Sequence, residues 1–596
     1  MAKRNLNLKL AALVSLSCMT LNHGIAAAET TVSPLPTPTA EVPVDEIIKI
    51  SPEQAAFNKL TDEYFDDAFR SNPVWATDIG VHKYDGDLNG YSEAERSQRA
   101  VQLKSFLSKF EAVKSDQLDK FSRLDLQMLI AHIKGSLLEL EGIQSWKTNP
   151  DVYSSHASAA IFALMKRNFA PAEDRLKSVI SREKRIPAIL DDARTNLANP
   201  PKVYTEVALE QMPGIISFFE TAVPEAFATV KDEKLQTEFK AENAKVIDAL
   251  KSYQAYLKTD ILPKSKGDFA LGKEKYQQKL LYDEMVDEDV DVLLARGWEE
   301  LRRLQKEFAD TAREINPKKT PLQVYADMSA NYPKPDQVLS SVKGVLANLK
   351  DVCETNGIVT IPSEDELKVE ETPPFMRALT FASMDAPGPF ETKAKEAYYH
   401  VTLPEKNWPA KRTEEHMRFF CKNDILNTSV HEAYPGHYVQ GLWMRQAPSK
   451  TRKLLYCGTN SEGWAHYCEE MMPQQGLGNG DKDLKLMQIH AALLRAARYI
   501  AGISMHTKGM SMNQAIDLFV KEGYQPRANA ERETKRGTSD PTYLVYTLGK
   551  MQILQLRDDY KKAKGNNYSL KDFHNNFLAQ GGAPLKIVRQ ALLGEK

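Results

Sequence analysis

A mainly α-helical fold, with two lobes around a deep cleft and one small antiparallel β-sheet, is predicted by three observations on the 596-residue chain. Apolar residues recur at helical spacing through most of it, strand-forming runs are scarce before residue 355, and Leu484 to Met505 is a nearly continuous apolar stretch, as expected of a helix buried on most sides. No internal repeat accompanies this content, so a solenoid is not expected.

The elements follow in chain order. Lys3, Arg4 and Lys9 precede an apolar run from Leu10 to about Leu21, and Ala26-Ala27-Ala28 offers a small-residue cleavage site, so residues 1-28 read as a secretory signal. Ser-Leu-Ser-Cys18 resembles a lipoprotein processing site, but Ser15 stands where an aliphatic residue is needed. A cleaved signal and a periplasmic or secreted location are therefore expected in preference to lipid anchoring at Cys18. Residues 29-46, rich in Thr, Pro and Val, read as a flexible tether.

An N-terminal helical lobe is assigned to 47-285, where Val101, Phe106, Leu107, Phe110 and Val113, then Leu124 to Leu140, keep a helical period. The mixed-sign run Lys231 to Lys245 reads as a solvated helix face. The C-terminal lobe, 286-596, opens on a helix marked by Leu294, Trp298, Leu301, Leu304 and Phe308. Leu367 to Glu371, Phe375 to Phe381 and Glu396 to Leu403, the last stopped by Pro404, read as short strands. If the edge of that sheet borders the cleft, an extended peptide could pair with it, and Tyr399 becomes a candidate substrate contact.

Lys and Arg number 78 against 80 Asp and Glu, giving a formal charge of −2, so nothing in the bulk charge calls for nucleic acid as a partner. No glycine-rich phosphate loop stands out, and no apolar run after the signal reaches the length of a transmembrane segment. Beyond the signal, Cys353, Cys421, Cys457 and Cys468 are read as packing residues or as halves of two bridges whose pairing the sequence does not give. Oligomeric state is equally illegible.

The chemistry concentrates in Ser-Val-His431-Glu432-Ala-Tyr-Pro435-Gly436-His437 and in Glu462-Gly-Trp-Ala-His466-Tyr-Cys-Glu469. Zinc hydrolases commonly place two histidines four apart on one helix face with a glutamate beside the first. Here the histidines are six apart. On a straight helix six residues leave the rings roughly 120° apart and about 9 Å apart along the axis, too far to share an ion. Pro435-Gly436 is the pair expected to break or bulge that helix, letting His431 and His437 face one point with Glu432 beside them. Glu462 is the expected third ligand. His466 and Glu469, at i+4 and i+7 from it, would orient the imidazoles or touch substrate.

These two elements, with Arg536-Gly-Thr-Ser-Asp540-Pro541-Thr-Tyr543-Leu-Val-Tyr546-Thr-Leu-Gly549-Lys550, resemble the bacterial family of domain of unknown function 885 over most of the mature chain. That family is similar to helical zinc peptidases of the gluzincin type. The resemblance implies one zinc ion held by His431, His437 and Glu462, with Glu432 as general base. It also makes short peptides the implied substrates.

Water activated at the ion would pass its proton to Glu432 and attack a polarised carbonyl, and the oxyanion formed would need a donor. Tyr546 is preferred, then Tyr543, with Arg536 as a third candidate; Asp540 and Pro541 are expected to start the helix on which the tyrosines share a face. His506, on the last turn of the long apolar helix, is a further candidate for the cleft. The expected activity is thus a zinc metallopeptidase. Two alternatives stand beside it: a zinc hydrolase of an ester or non-peptide amide, and a periplasmic binding protein with a structural metal, which a fourth protein ligand such as His466 would favour.

Overall fold

The computed structural model describes residues 50–594 except positions 364, 374, 375, 378 and 379. The expected signal, Cys18 and the tether lie outside the described residues. Ser51–Lys596 form one compact unit.

Helix α1 (Pro52–Ser71) begins where the Ser51 side chain accepts from Gln54 N ahead of a proline in the first turn, and α2 (Glu93–Glu111) begins at a reciprocal Ser92–Glu95 capping box. α3 (Lys120–Leu137) starts at Asp119, whose side chain accepts from Ser122 N. The buried face of α2 runs through Ala100, Leu103 and Phe110, which leaves Val101 67% exposed instead of buried with its expected neighbours.

Phe57, Phe110 and Leu129 of these helices share one core with Val430, Tyr438 and Trp464. A separate core under α4 (Asp151–Met165) and α5 (Glu233–Tyr256) holds Leu176, Phe219 and Tyr253. A division at 285/286 therefore does not follow the cores. Helix α3 packs against C-terminal helices, and Arg452 Nε donates to its Asp125 Oδ1 at 2.7 Å, both side chains buried.

α6 (Val290–Ile315) buries Leu301, Leu304 and Phe308 as the periodicity predicts, and α7 (Val338–Thr355) leads to the sheet. Strands β1 (Leu367–Glu371), β2 (Ala382–Asp385) and β3 (Ala397–Val401) lie in the order β1-β3-β2. β3 pairs parallel with β1 and antiparallel with β2, so the sheet is mixed where an antiparallel one was expected. β1 and β2 flank β3 on opposite sides and run in opposite directions. Strand β2 also starts after Phe381, downstream of the expected Phe375 to Phe381; positions 375, 378 and 379 of that span lie outside the described residues.

The helices that build the site follow: α8 (Lys422–Glu432), α9 (His437–Met444), α10 (Gly458–Gln474), α11 (Lys482–Thr507), α12 (Arg527–Ser539) and α13 (Val545–Lys564). α6 packs along α11, and α10 along α13. α10 and α13 meet at glycines: a Cβ on Gly463 would stand 2.6 Å from Gly549 Cα, and one on Gly549 would stand 2.1 Å from Thr459 O. Cys353, Cys421, Cys457 and Cys468 are all buried and unbridged, so the bridge reading is set aside in favour of packing. Among the described residues no helix is long and apolar enough to cross a membrane.

Candidate metal centre

The expected break in the histidine helix is present. α8 ends at Glu432 and α9 begins at His437, with Pro435 and Gly436 between. The turn is pinned twice: Gly436 N donates to Val430 O at 3.0 Å, and Trp464 Nε1 of α10 donates to Pro435 O at 2.9 Å. Only glycine fits at 436, since a Cβ there would lie 1.8 Å from His431 O.

This turn brings the two rings to a centroid separation of 4.8 Å at 87°. Glu462 rises from the first turns of α10, whose start is fixed by Glu284: its buried carboxylate accepts from Gly458 N at 3.0 Å, Thr459 N at 2.7 Å and Cys457 Sγ at 3.0 Å. His431 Nε2 and His437 Nε2 each stand 3.4 Å from Glu462 Oε2. Two donors each about 2.1 Å from one tetrahedral ion stand about 3.4 Å apart. Glu462 Oε2 is itself buried without a hydrogen-bond partner, an arrangement that is costly unless a cation answers it. The three ligand atoms lie within 4.8 Å of one another, and the residues fit one divalent ion.

Behind them sits Glu469. Its Oε1 is 2.7 Å from His431 Nδ1 and 2.8 Å from Arg495 Nη2, and its Oε2 accepts from Asn427 Nδ2 at 3.1 Å. That contact fixes His431 with Nε2 turned toward Glu462, the usual way a carboxylate orients a ligating imidazole. Burial opposes the charged ring of His431, but the Glu462 and Glu469 carboxylates on either side outweigh it and lift its pKa to about 9. Burial alone would raise the Glu462 carboxyl; the two imidazoles hold it well below the usual range. His466 lies 3.5 Å from Glu469 Oε2, fully buried, and burial pulls its pKa down to about 4. It is not one of the three converging donors.

The centre opens into a cavity of about 700 Å³ whose wall includes Glu432, Tyr399, Arg536 and Tyr546. Glu432, the last residue of α8, is 9% exposed. Arg536 Nη2 donates to Tyr546 Oη at 3.0 Å, and burial, reinforced by the Glu462 charge, pushes the Tyr546 phenol up to about 12, so it remains a donor at neutral pH. Tyr399 Oη is 3.5 Å from Ser429 Oγ, deep in the same wall. The edge strand β2 contributes Ala382, Ser383 and Met384.

Two expected residues are not brought there. Asp540 closes α12 and the next helix begins only at Val545, so Tyr543 lies in the intervening turn and shares no helix face with Tyr546. Its hydroxyl donates to Glu533 Oε2 at 2.8 Å, in a buried group where Arg498 grips Glu533 at 2.6 and 2.8 Å. His506 is buried against Phe269 and Tyr276, with Nε2 2.9 Å from Gly537 O. Arg495, the guanidinium on Glu469, received no role from the sequence; the signal available was a charged residue inside an apolar helix.

The matched family is described as bacterial protein of unknown function (DUF885) and covers residues 73–592; the chain belongs to it. A solved structure described as a candidate lipoprotein of unknown function from Shewanella oneidensis is similar, with a TM-score of 0.75 and 29% identity over 90% of this chain and 99% of that one. A second, described as a candidate lipoprotein from Colwellia psychrerythraea, has a TM-score of 0.73 at 19% identity over 91% of this chain and 99% of that one, and shares the fold. No curated protein matches the chain.

Proposed function

We propose that this protein is a zinc-dependent hydrolase acting on peptides. The observation that carries the reading is Glu432 on the wall of the cavity into which the His431, His437 and Glu462 donors converge. A zinc ion held by those three would supply a Lewis acid for a carbonyl and for water. Glu432, one residue from His431, is placed to take a proton from water on the cavity side and return it to the leaving amine. Tyr546, kept protonated and backed by Arg536, is placed to donate to charge that develops on the carbonyl oxygen. Glu469 and Arg495 hold His431 in register.

Peptides are favoured over esters because β2, the edge of the sheet, lines the cavity, where an extended backbone can add as a further strand. The exclusion of His466 from the converging donors leaves a set of three protein ligands among the described residues, the number typical of catalytic sites. An extracytoplasmic location accords with the signal-like N-terminus and with the lipoprotein descriptions of the two similar structures. The test is a defined peptide mixture incubated with the zinc-loaded protein, with and without chelator, beside small ester substrates. Chelator-sensitive peptide cleavage is expected. Ester turnover without peptide cleavage would replace the substrate class.

A further inference from the structure

The acids on the cavity wall are accounted for with one exception. Glu462 and Glu432 belong to the metal centre, Glu533 is gripped by Arg498, and Asp151 accepts from Ser155 Oγ at 2.9 Å. Asp424 lines the same cavity and its carboxylate makes no hydrogen bond or ion pair with any described residue. Arg495, the cation acting on it most directly, is already committed to Glu469 at 2.8 Å.

The cavity around Asp424 is mixed: Asn427 and Thr428, three and four residues on, line it with apolar residues. Ile425, Phe420, Met487 and Leu494 stand on the same wall, and Tyr325 stacks on His490 at 3.9 Å, a ring that burial keeps neutral by pulling its pKa to about 4. Asp424 is seven residues before His431 on α8, so the two share a helix face about 10 Å apart along the axis. A lysine or arginine stem with its terminal donor and one hydrogen bond of about 3 Å spans a gap of that order.

We infer that Asp424 is a specificity determinant, taking the cationic side chain of a lysine or arginine in a peptide whose neighbouring carbonyl lies at the metal centre. This rests on the peptidase reading for the reaction, but not for the binding. Desolvation raises the Asp424 carboxyl to about 8, partly offset by Arg495. A cation brought beside this carboxyl favours its charged form, and an uncharged isostere does not.

The test is calorimetric binding of two blocked peptides, N-acetylated and C-amidated, Ala-Ala-Lys-Ala-Ala and its norleucine counterpart, to zinc-loaded Glu432→Gln protein. The lysine peptide is expected to bind at least about tenfold tighter. That ratio is expected to fall toward one in Asp424→Asn and in Asp424→Ser, each checked for an unchanged thermal transition. Equal binding of the two peptides, or a lysine preference that survives both substitutions, would overturn the assignment. So would an Asp424-dependent gain on unblocking the N-terminus of the norleucine peptide that equals the lysine effect, since it would transfer the role to an α-ammonium. Wild-type turnover separates the two claims: a binding preference without cleavage of any peptide counts against the peptidase reading alone, and cleavage indifferent to basic residues counts against Asp424 alone.

Discussion

Gly463 and Gly549 touch across the α10–α13 crossing so closely that a Cβ on Gly463 would lie 2.6 Å from Gly549 Cα. The contact matters for chemistry because Glu462 precedes the first glycine by one residue and Tyr546 precedes the second by three. The proposed ligand and the proposed oxyanion donor are thus held on two helices whose spacing is set by the absence of side chains.

Gly549→Ala is therefore expected to force α10 and α13 apart, costing about 1–3 kcal/mol of stability and lowering both zinc affinity and turnover. Denaturant unfolding and metal titration of the same preparation check this. Unchanged stability and zinc affinity would show that the helices do not need the contact.

Glu469→Gln is expected to weaken zinc binding about 10–100-fold while leaving the three ligands in place, because His431 loses the carboxylate that orients it. Competition with a chelator of known affinity reads the effect. Wild-type affinity would reduce Glu469 to a partner of Arg495.

Tyr546→Phe and Tyr543→Phe should separate cleanly. The first removes a hydroxyl in the cavity and is expected to lower kcat about 10²–10³-fold with little change in KM. The second removes a hydroxyl bound to Glu533 and is expected to cost about 1–3 kcal/mol of stability with a much smaller effect on kcat. Steady-state kinetics and thermal unfolding on both variants decide between the roles.

The buried Glu533 gives a pH signature. Burial would raise its carboxyl, but Arg498, then Arg536 and the Tyr543 hydroxyl, hold it at about 2, below its ordinary value of 4.5. A depressed carboxyl contributes stability that is present above pH 4.5 and lost as pH falls toward about 2. Acid unfolding of wild type against Glu533→Gln should show a smaller drop in that window for the variant. Parallel curves would remove Glu533 from the acid transition.

Much of this was legible in residues. Pro435-Gly436 announced a broken helix, the spacing of Glu462, His466 and Glu469 announced one face, and Leu301, Leu304 and Phe308 announced a buried stripe. What was not legible depends on pairings distant in sequence. Strand direction in the sheet depends on how the connections between β1, β2 and β3 run, and no local pattern records that. Tyr543 and Tyr546 look equivalent at a spacing of three, yet the helix start falls between them, and Tyr543 instead bonds Glu533 of the preceding helix. The shared core of α1 to α3 with C-terminal helices likewise rests on contacts such as Arg452 with Asp125, invisible to a division made along the chain.

The central claim is that Glu432 is the base beside a zinc ion held by His431, His437 and Glu462. Its most direct test is Glu432→Gln protein assayed for metal content and for cleavage of the best wild-type peptide substrate. One zinc per chain with turnover reduced about 10²–10⁴-fold is the predicted result; zinc retained with wild-type turnover would contradict it.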